Sequence, residues 1–301
     1  MSTEVTTAFV KQYSAGVRML QQQTGSRLQD AVMVDPGVTG DRAFYDQVDA
    51  TSMSEVTNRH GDTEYTDTPH KRRMVTLATY EVADLVDRAD RRRLLNDPVN
   101  PYSRSMAAAA NRQIDDIIIT AFDATASTGV DGSGSDTFDT SGYQIAATFG
   151  IGGAVTTVDL TIDKLLEARR ILEAAENDED DGENSWSFAT AAAGRQALLN
   201  TTEVSSADYN TVKALVNGGI NTFVGFNFIK SQRLSVSAGD IRSDFAWVKK
   251  SMQLAVGEEP RSFIDVLPQK RHSLQVRYEQ DLGAVRMDQK GVVEILCDQS
   301  P

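Results

Sequence analysis

Side chains that commonly catalyse reactions or bind metal ions are scattered along this sequence. The three histidines, His60, His70 and His272, have no second histidine, cysteine or glutamate at the spacing of a zinc site. The single cysteine, Cys297, has no neighbouring base, and we expect it to be a small apolar residue that closes a strand. The sequence contains neither a phosphate-binding glycine loop nor a serine-nucleophile motif. It therefore predicts no catalytic residue, no cofactor and no metal ion.

Two groups of neighbouring carboxylates could instead bind a cation or transfer protons. The acidic run 178–183 departs from the calcium-loop template, because Phe188 stands where that template requires a glutamate. Asp115 and Asp116 are adjacent on a predicted helix, where successive side chains diverge by about 100° instead of converging on a substrate. We expect both groups to be solvated, charged surface.

The strongest chemical signal is the separation of charge along the chain. Seven cationic side chains fall within residues 71–93, and seven carboxylates fall within residues 173–183. Two interpretations are open: the segments are two solvated surfaces, or they dock against each other in neighbouring copies of the chain. In the second case, charge would fix register and orientation more than it adds affinity.

Composition limits the class of protein. Of 301 residues, 40% are hydrophobic, and no apolar run approaches the ~20 residues that a membrane span needs. The first twenty residues contain Lys11 and Arg18 without an apolar segment between them, so we expect no signal peptide and synthesis in a reducing cytoplasm. The net charge of −13 argues against tight binding of duplex DNA. The sequence predicts a soluble globular protein with no membrane partner.

Periodicity indicates a polar terminal helix followed by a long hairpin. Residues 2–23 carry one apolar helical stripe that includes Phe9 and Tyr13, which predicts docking onto the body of the chain or onto a neighbouring subunit. From 42 to 86 the pattern has period two around a polar tract. Two strands with a polar tip are marginal in water, so the tip should need an external surface to become ordered.

The remaining pattern mixes helices and strands. A helix of about six turns is predicted from Tyr102 to Ala124, and the stripe that it should bury includes Ile114, Ile117, Ile118 and Ala121. A helix capped by Thr161 opens a second unit, and several strands follow residue 244. The chain is therefore predicted to have an α+β fold.

The run TPHKRRMVTLATYEVADLVDRADRRRLLNDPVNPYSRSMAAAANRQIDDIIITAF, at residues 68–122, resembles tailed-bacteriophage major capsid proteins with the Hong Kong 97-like fold. The resemblance is close over 40–125 and weaker over 251–297. It implies five parts, which are an N-terminal arm (1–41), an extended hairpin or E-loop (42–86), a spine helix with the first part of a peripheral domain (87–150), an axial domain (151–243) and returning strands that complete the peripheral domain (244–301).

The same resemblance implies a structural function and no enzymatic activity. Copies of the chain would form pentamers and hexamers of an icosahedral shell around double-stranded DNA, in a virion whose protein is made in the host cytoplasm. Portal and scaffolding proteins are implied partners, DNA contacts should be weak, and a decoration protein is left open. The alternatives are the shell of a cellular encapsulating compartment and, ranked after it, an α+β hydrolase.

Contacts between subunits are the site that the sequence predicts. Lys71 is the only lysine of the hairpin and has no obvious acid placed to assist it, so we expect a lattice without covalent crosslinks. The expected subunit-contact residues are Phe9, Tyr13, Arg59, His60, Asp62, Tyr65, His70, Lys71, Arg72, Arg73, Arg91, Arg92 and Arg93.

Overall fold

The computed structural model of the chain describes residues 22–57, 59, 61–63, 65–86, 99–150, 153, 156–177, 185–200, 222–237, 239–257 and 261–299. Within them the helices are α1 (Val99–Asp123), α2 (Thr140–Tyr143), α3 (Ile162–Ala174) and α4 (Ala192–Asn200). No helix in the described ranges is long and apolar enough to cross a membrane.

The chain divides into two compact units. The first contains the described residues of 1–25, 80–112 and 260–280, and the second contains those of 26–79, 113–259 and 281–301. Because two of the division points lie inside α1 and inside the strand at residues 273–286, each of these elements contributes residues to both units.

The second unit is organised around a seven-stranded sheet. Its strands are β7 (Gln144–Ile145), β8 (Trp186–Thr190), β9 (Thr222–Phe223), β10 (Phe226–Lys230), β11 (Val236–Ser237), β12 (Ile241–Val248) and β16 (Val292–Asp298). They run in the order β7-β16-β12-β8-β10-β9, with β11 paired to β12. Strands β8 and β10 are parallel, whereas β12 is antiparallel to both β8 and β16. Every residue of β8 is buried, as expected for a strand in the middle of a covered sheet.

Helix α3 packs into the core of this sheet. Thr161 caps the helix by accepting a hydrogen bond from the Lys164 N–H, which confirms the predicted cap. Leu165, Ala168 and Leu172 follow at spacings of three and four and are fully buried in one apolar cluster with residues of β8, β10 and β16. The helix is therefore fixed both by its cap and by its apolar stripe.

A four-stranded antiparallel sheet contains the predicted hairpin. Its strands, in spatial order, are β2 (Arg42–Val48), β3 (His70–Thr76), β5 (Ala126–Thr128) and β6 (Gly134–Asp136). The hairpin strands end at Thr76, because the following strand, β4 (Ala78–Val86), pairs elsewhere. The sequence predicted a single two-stranded hairpin over 42–86, and its second strand was placed too far along the chain, because residues 78–86 form a separate strand. Alternation of apolar and polar residues indicates strands but not which strands pair.

The remaining strands are β1 (Met33–Pro36), β13 (Met252–Val256), β14 (Arg261–Leu267) and β15 (Ser273–Arg286). In the second unit, β1 runs parallel to β13, and β13 pairs antiparallel with residues 282–286 of β15. In the first unit, β14 pairs antiparallel with residues 273–279 of β15. Strand β4 also pairs with β15. The several strands predicted after residue 244 are thus confirmed.

Helix α1 confirms the helix predicted over 102–124. Ile114, Ile118 and Ala121 are buried as predicted, whereas Ile117 is partly exposed. The difference arises because the buried face of the helix is rotated toward Ile119 and Phe122, both of which are buried.

An arginine from β15 holds the C-terminal end of α1, whose own last turn has no basic residue. The buried Arg286 donates hydrogen bonds from Nη1 to the carbonyl oxygens of Phe122 at 2.6 Å and Ala124 at 2.9 Å. A cation at this end of a helix offsets the partial negative charge of its unpaired carbonyls. Burial lowers the pKa of Arg286.

Strand β12 carries a fully buried carboxyl group, Asp244. Its Oδ2 accepts a hydrogen bond from Thr190 Oγ1 at 2.7 Å. Burial raises the pKa of Asp244 to about 7, the largest cause being loss of hydration of the charged form. The charged or titratable groups around it are Asp159, Lys164, Arg242 and Cys297.

Cys297 is buried in β16, as expected from the sequence, and burial raises the pKa of its thiol. The neighbouring Lys164 donates from Nζ to the carbonyl oxygens of Val158 at 2.7 Å and Leu296 at 2.8 Å. These two carbonyl contacts compensate a buried ammonium group whose pKa is lowered by burial.

We expect Ile118→Ala to lower the free energy of unfolding by about 2–5 kcal/mol, because a fully buried side chain loses its burial and leaves a cavity. Denaturant unfolding of the unassembled subunit measures the change. Ile117→Ala, at the partly exposed neighbour, is the matched control and should lose less. Equal losses in the two variants would contradict the assigned face of α1.

We also expect Asp244 to make stability depend on pH. The unfolded chain releases this proton near pH 4 and the folded chain near pH 7. The contribution of Asp244 is therefore fully present below pH ~4 and is lost as pH rises through about 7, by on the order of 4 kcal/mol. Asp244→Asn, measured by denaturant unfolding from pH 4 to 8, should flatten this dependence, while the exposed control Asp265→Asn should not.

Candidate subunit-contact site

The described residues of the loop that joins β2 to β3 are exposed from residue 50 onward. Backbone pairing of the hairpin extends one step beyond the strands, where the Asp49 N–H donates to the Pro69 carbonyl at 3.0 Å. Every described residue from 50 to 69 is exposed, including the predicted contact residues Arg59, Asp62 and Tyr65. This part of the chain therefore contributes no core of its own.

Apolar side chains on this hairpin were missed by the sequence interpretation. Met53 and Val56 are almost fully exposed, and Phe44 and Val48 of β2 are also exposed. The prediction relied on the polar tract 58–73, whereas these four residues lie before it. Phe44, Asp46 and Val48 are spaced by two and therefore lie on one face of β2, and the two apolar residues among them were the signal that could have indicated a partly apolar outer face.

Two of the three consecutive hairpin cations are paired at the surface within the chain. Lys71 Nζ lies 2.6 Å from Asp49 Oδ2. Arg72 makes two hydrogen bonds to Asp46, from Nε at 2.5 Å and from Nη2 at 3.2 Å. This hydrogen-bonded guanidinium holds the pKa of the Asp46 carboxyl below its usual value. Such exposed pairs stabilise the hairpin only weakly, because water screens them.

The third cation, Arg73, lies in the interior and is only 7% exposed. It donates from Nε to the Met287 carbonyl at 2.9 Å and from Nη2 to Asp136 of β6. Gln47 Nε2 donates to the same Met287 carbonyl at 3.0 Å. Arg73 therefore attaches the base of the hairpin to β6 and to the end of β15.

A cavity of about 620 Å³ opens at the base of the hairpin. Its walls are β3, the β5–β6 hairpin and the 3-10 turn Gln289–Gly291. The predicted contact residue His70 lines it together with Lys71, Arg72 and Arg73. The structure thus brings four of the predicted residues to one concave surface, which three carboxylates, those of Asp46, Asp136 and Asp288, also line.

Asp115, expected to be solvated, is instead completely buried. Its Oδ1 accepts hydrogen bonds from Ser26 Oγ at 2.6 Å, from the Arg27 N–H at 3.0 Å and from the Leu28 N–H at 3.1 Å. The prediction was wrong for Asp115 because the 100° between adjacent helical residues turns it inward. Its neighbour Asp116 faces outward and forms an ion pair with Arg233.

Further hydrogen bonds join residues 22–24 to α1. Asn111 Nδ2 donates to the Thr24 carbonyl at 2.8 Å, and Arg112 Nη1 donates to Gln22 Oε1 at 2.9 Å. The predicted arm residues Phe9 and Tyr13 lie outside the described residues, as do His60 and Arg91, Arg92 and Arg93.

The acidic segment is described only at its start. Glu173 Oε1 accepts a hydrogen bond from Arg169 Nε at 2.7 Å within α3. Glu176 follows the helix with φ +57°, and residues 178–183 lie outside the described residues. Docking of this segment on the cationic one therefore stays a prediction. In the described ranges no three His, Cys, Asp or Glu side chains are grouped as a metal site would require.

A model of the family described as phage capsid protein matches residues 5–299. The chain belongs to this family. A comparison with curated proteins found no match.

Solved capsid structures share the fold of this capsid protein. The cyanophage Pam1 capsid protein matches 100% of this chain and 99% of its own, at 15% identity and a TM-score of 0.74. The Ralstonia phage GP4 capsid protein matches 97% of this chain and 97% of its own, at 10% identity and a TM-score of 0.74. A chain from the head of Helicobacter pylori bacteriophage KHP40 matches 100% of this chain and 99% of its own, at 10% identity and a TM-score of 0.73. The predicted α+β, Hong Kong 97-like capsid fold is confirmed.

The family and the fold together make this chain a structural major capsid protein of a bacteriophage, which belongs to the capsid of the virion and works in many copies. The two alternatives weighed from the sequence, a compartment shell and a hydrolase, are not favoured.

We expect Asp115→Ala to destabilise the capsid protein by about 3–5 kcal/mol, because several donors lose a buried charged acceptor at once. Asp115→Asn keeps one acceptor oxygen and should lose less. The control Asp116→Ala removes a partly exposed ion pair and should change the free energy of unfolding by under about 1 kcal/mol. Denaturant unfolding of unassembled subunits measures these losses. A larger loss of unfolding free energy in Asp116→Ala than in Asp115→Ala would refute this assignment.

Proposed function

We propose that this capsid protein assembles as pentamers and hexamers into an icosahedral shell that encloses double-stranded DNA. The observation that carries the proposal is the hairpin loop, whose described residues from 50 to 69 are all exposed and include Met53, Val56 and Tyr65. A single chain leaves this apolar surface in water, and a second copy placed on it would remove the surface from water.

Ring formation follows from the kind of contact that such a loop makes. A hairpin that docks on a different surface of the next copy makes a head-to-tail contact. Such a contact closes into a ring when the rotation that relates neighbouring copies is a whole-number fraction of 360°. Many modest contacts per subunit then add up through multivalency. A stable shell therefore does not require one strong interface.

The proposed parts keep the bounds expected from the sequence: the arm (1–41), the E-loop (42–86), the spine helix with the first part of the peripheral domain (87–150), the axial domain (151–243) and the returning strands (244–301). Within the E-loop part, only β2, β3 and their loop are proposed to reach the neighbour, since β4 pairs with β15. Contacts from Phe9, Tyr13 and Arg91–Arg93 are proposed on the sequence alone.

Partners beyond the chain itself are also proposals. The net charge of −13 supports weak contact with packaged DNA, because each tight phosphate contact needs a cation. We propose that the acidic run 173–183 faces away from the genome. We also propose portal and scaffolding proteins as partners. The chain itself is proposed to be synthesised in the host cytoplasm. A lattice without covalent crosslinks is supported by the ion pair that Lys71 already makes with Asp49.

Hydrogen exchange on unassembled subunits and on assembled particles tests the proposal. We expect rapid exchange at residues 50–69 in the subunit, because few contacts offset a backbone entropy of roughly 1–2 kcal/mol per residue, and strong protection in particles. The internal control is β8, which is buried in both states. Negative-stain images of the purified wild-type protein without closed shells, or equal exchange of the loop in both states, would contradict the proposed assembly.

A further inference from the structure

The cavity at the base of the hairpin is large enough for side chains and not only for an ion. Its volume of about 620 Å³ lies in the range of about 300–1,000 Å³ that organic ligands occupy. Val130, on the turn between β5 and β6, lines it and is 75% exposed. A suitable occupant therefore has an apolar part that can cover Val130.

The charged groups of the cavity differ in whether they already have partners. Asp46 is paired with Arg72, Asp136 is paired with Arg73, and Lys71 is paired with Asp49. Asp288, the third carboxylate of the lining, accepts a hydrogen bond from the Lys290 backbone N–H. Lys290 also lines the cavity and is exposed, and no acidic side chain in the described ranges forms an ion pair with it.

The turn that carries Lys290 is fixed through its backbone. The Lys290 N–H donates to Asp288 Oδ1 at 3.0 Å, and the Lys290 carbonyl accepts a hydrogen bond from Asn177 Nδ2 at 3.1 Å. The position of the residue is therefore set while its ammonium group stays available.

Two polar atoms in the cavity walls are buried and lack a hydrogen-bond partner among the described residues: Arg73 Nη1 and Gln289 Oε1. A buried donor left without a partner is destabilising. Both atoms are covered in the single chain, so an entering group could reach them only after small side-chain movements. An oxyanion that accepted from Arg73 would remove one of these two defects.

We propose that this cavity receives a carboxylate side chain of a second copy of the chain, and that Lys290 is the cation that meets it. Charge complementarity supports this occupant. The chain has 43 acidic against 30 basic residues, so a neighbouring copy offers many carboxylates to the ammonium group of Lys290. A small free anion would neither fill the cavity nor cover Val130. This inference rests on the proposed assembly, since the carboxylate comes from a neighbouring subunit.

Zero-length crosslinking of isotope-mixed particles tests the contact directly. Light and ¹⁵N-labelled subunits are assembled together and treated with a carbodiimide, which joins an ammonium group to a carboxylate that touches it. We expect crosslinked peptides that join Lys290 to an Asp or Glu, with light–heavy pairs about as abundant as pairs of one label. Pairs of one label only would place the carboxylate in the same chain, and no Lys290 crosslink in intact particles would also overturn the proposal.

A charge-reversal variant tests whether the Lys290 contact contributes to assembly. We expect Lys290→Glu to raise the protein concentration needed for assembly by up to about fivefold, from the size of contributions that surface ion pairs make. Lys230→Glu, at an exposed lysine that does not line the cavity, changes the net charge equally and should leave this concentration unchanged. Reversal of the crosslinked acid to Lys should restore assembly of Lys290→Glu.

The outcomes separate this inference from the proposed function. If wild-type protein forms no particles, the proposed assembly fails. If it forms particles whose assembly responds equally to Lys290→Glu and Lys230→Glu, only the cavity contact fails. Thermal unfolding of the unassembled variants shows whether either substitution acts through folding instead.

Discussion

The contact of residues 26–28 with the long helix α1 depends on one buried carboxylate, that of Asp115. A buried charge is tolerated only when hydrogen bonds replace its hydration, and here the donors are the hydroxyl of Ser26 and two backbone N–H groups. The turn that supplies these donors leads directly to Ala31, whose carbonyl accepts a hydrogen bond from Trp247 Nε1 at 2.8 Å. Strand β1 follows and pairs with β13. Within the second unit, residues 26–36 are thus joined to α1, β12 and β13 by a continuous set of hydrogen bonds.

Two buried arginines continue this arrangement at the other end of α1. Arg286 binds the last carbonyls of the helix and also donates to the Asp136 carbonyl at 3.2 Å, while Arg73 binds the Asp136 carboxylate. The planar guanidinium group suits this task because it offers several donors in fixed directions. The base of the hairpin is therefore held to the body by charged hydrogen bonds, whereas the described residues of its outer loop, 50–57, 59, 61–63 and 65–69, are all exposed.

Local signals were enough to predict several elements. The apolar stripe predicted α1, the side chain of Thr161 predicted the start of α3, and alternation predicted β2 and β3, because each of these patterns acts within a few residues. The burial of Asp115 was not predictable in this way, since its donors lie 87 to 89 residues earlier in the chain. Arg73 is an intermediate case. Strand alternation places it on the face opposite to Arg72, yet only the structure supplies the partner, Asp136.

The exposed hairpin loop has a consequence for the lifetime of the protein in a cell. Proteases cleave chain segments that are exposed and free of regular structure, and the described residues of 50–57 and 65–69 are both. A copy that has not joined a shell presents this loop to host proteases, whereas a copy whose loop lies under a neighbour hides it. On the proposed assembly, we expect surplus subunits to be degraded first, so that the surface proposed to promote incorporation also marks the copies that were left out.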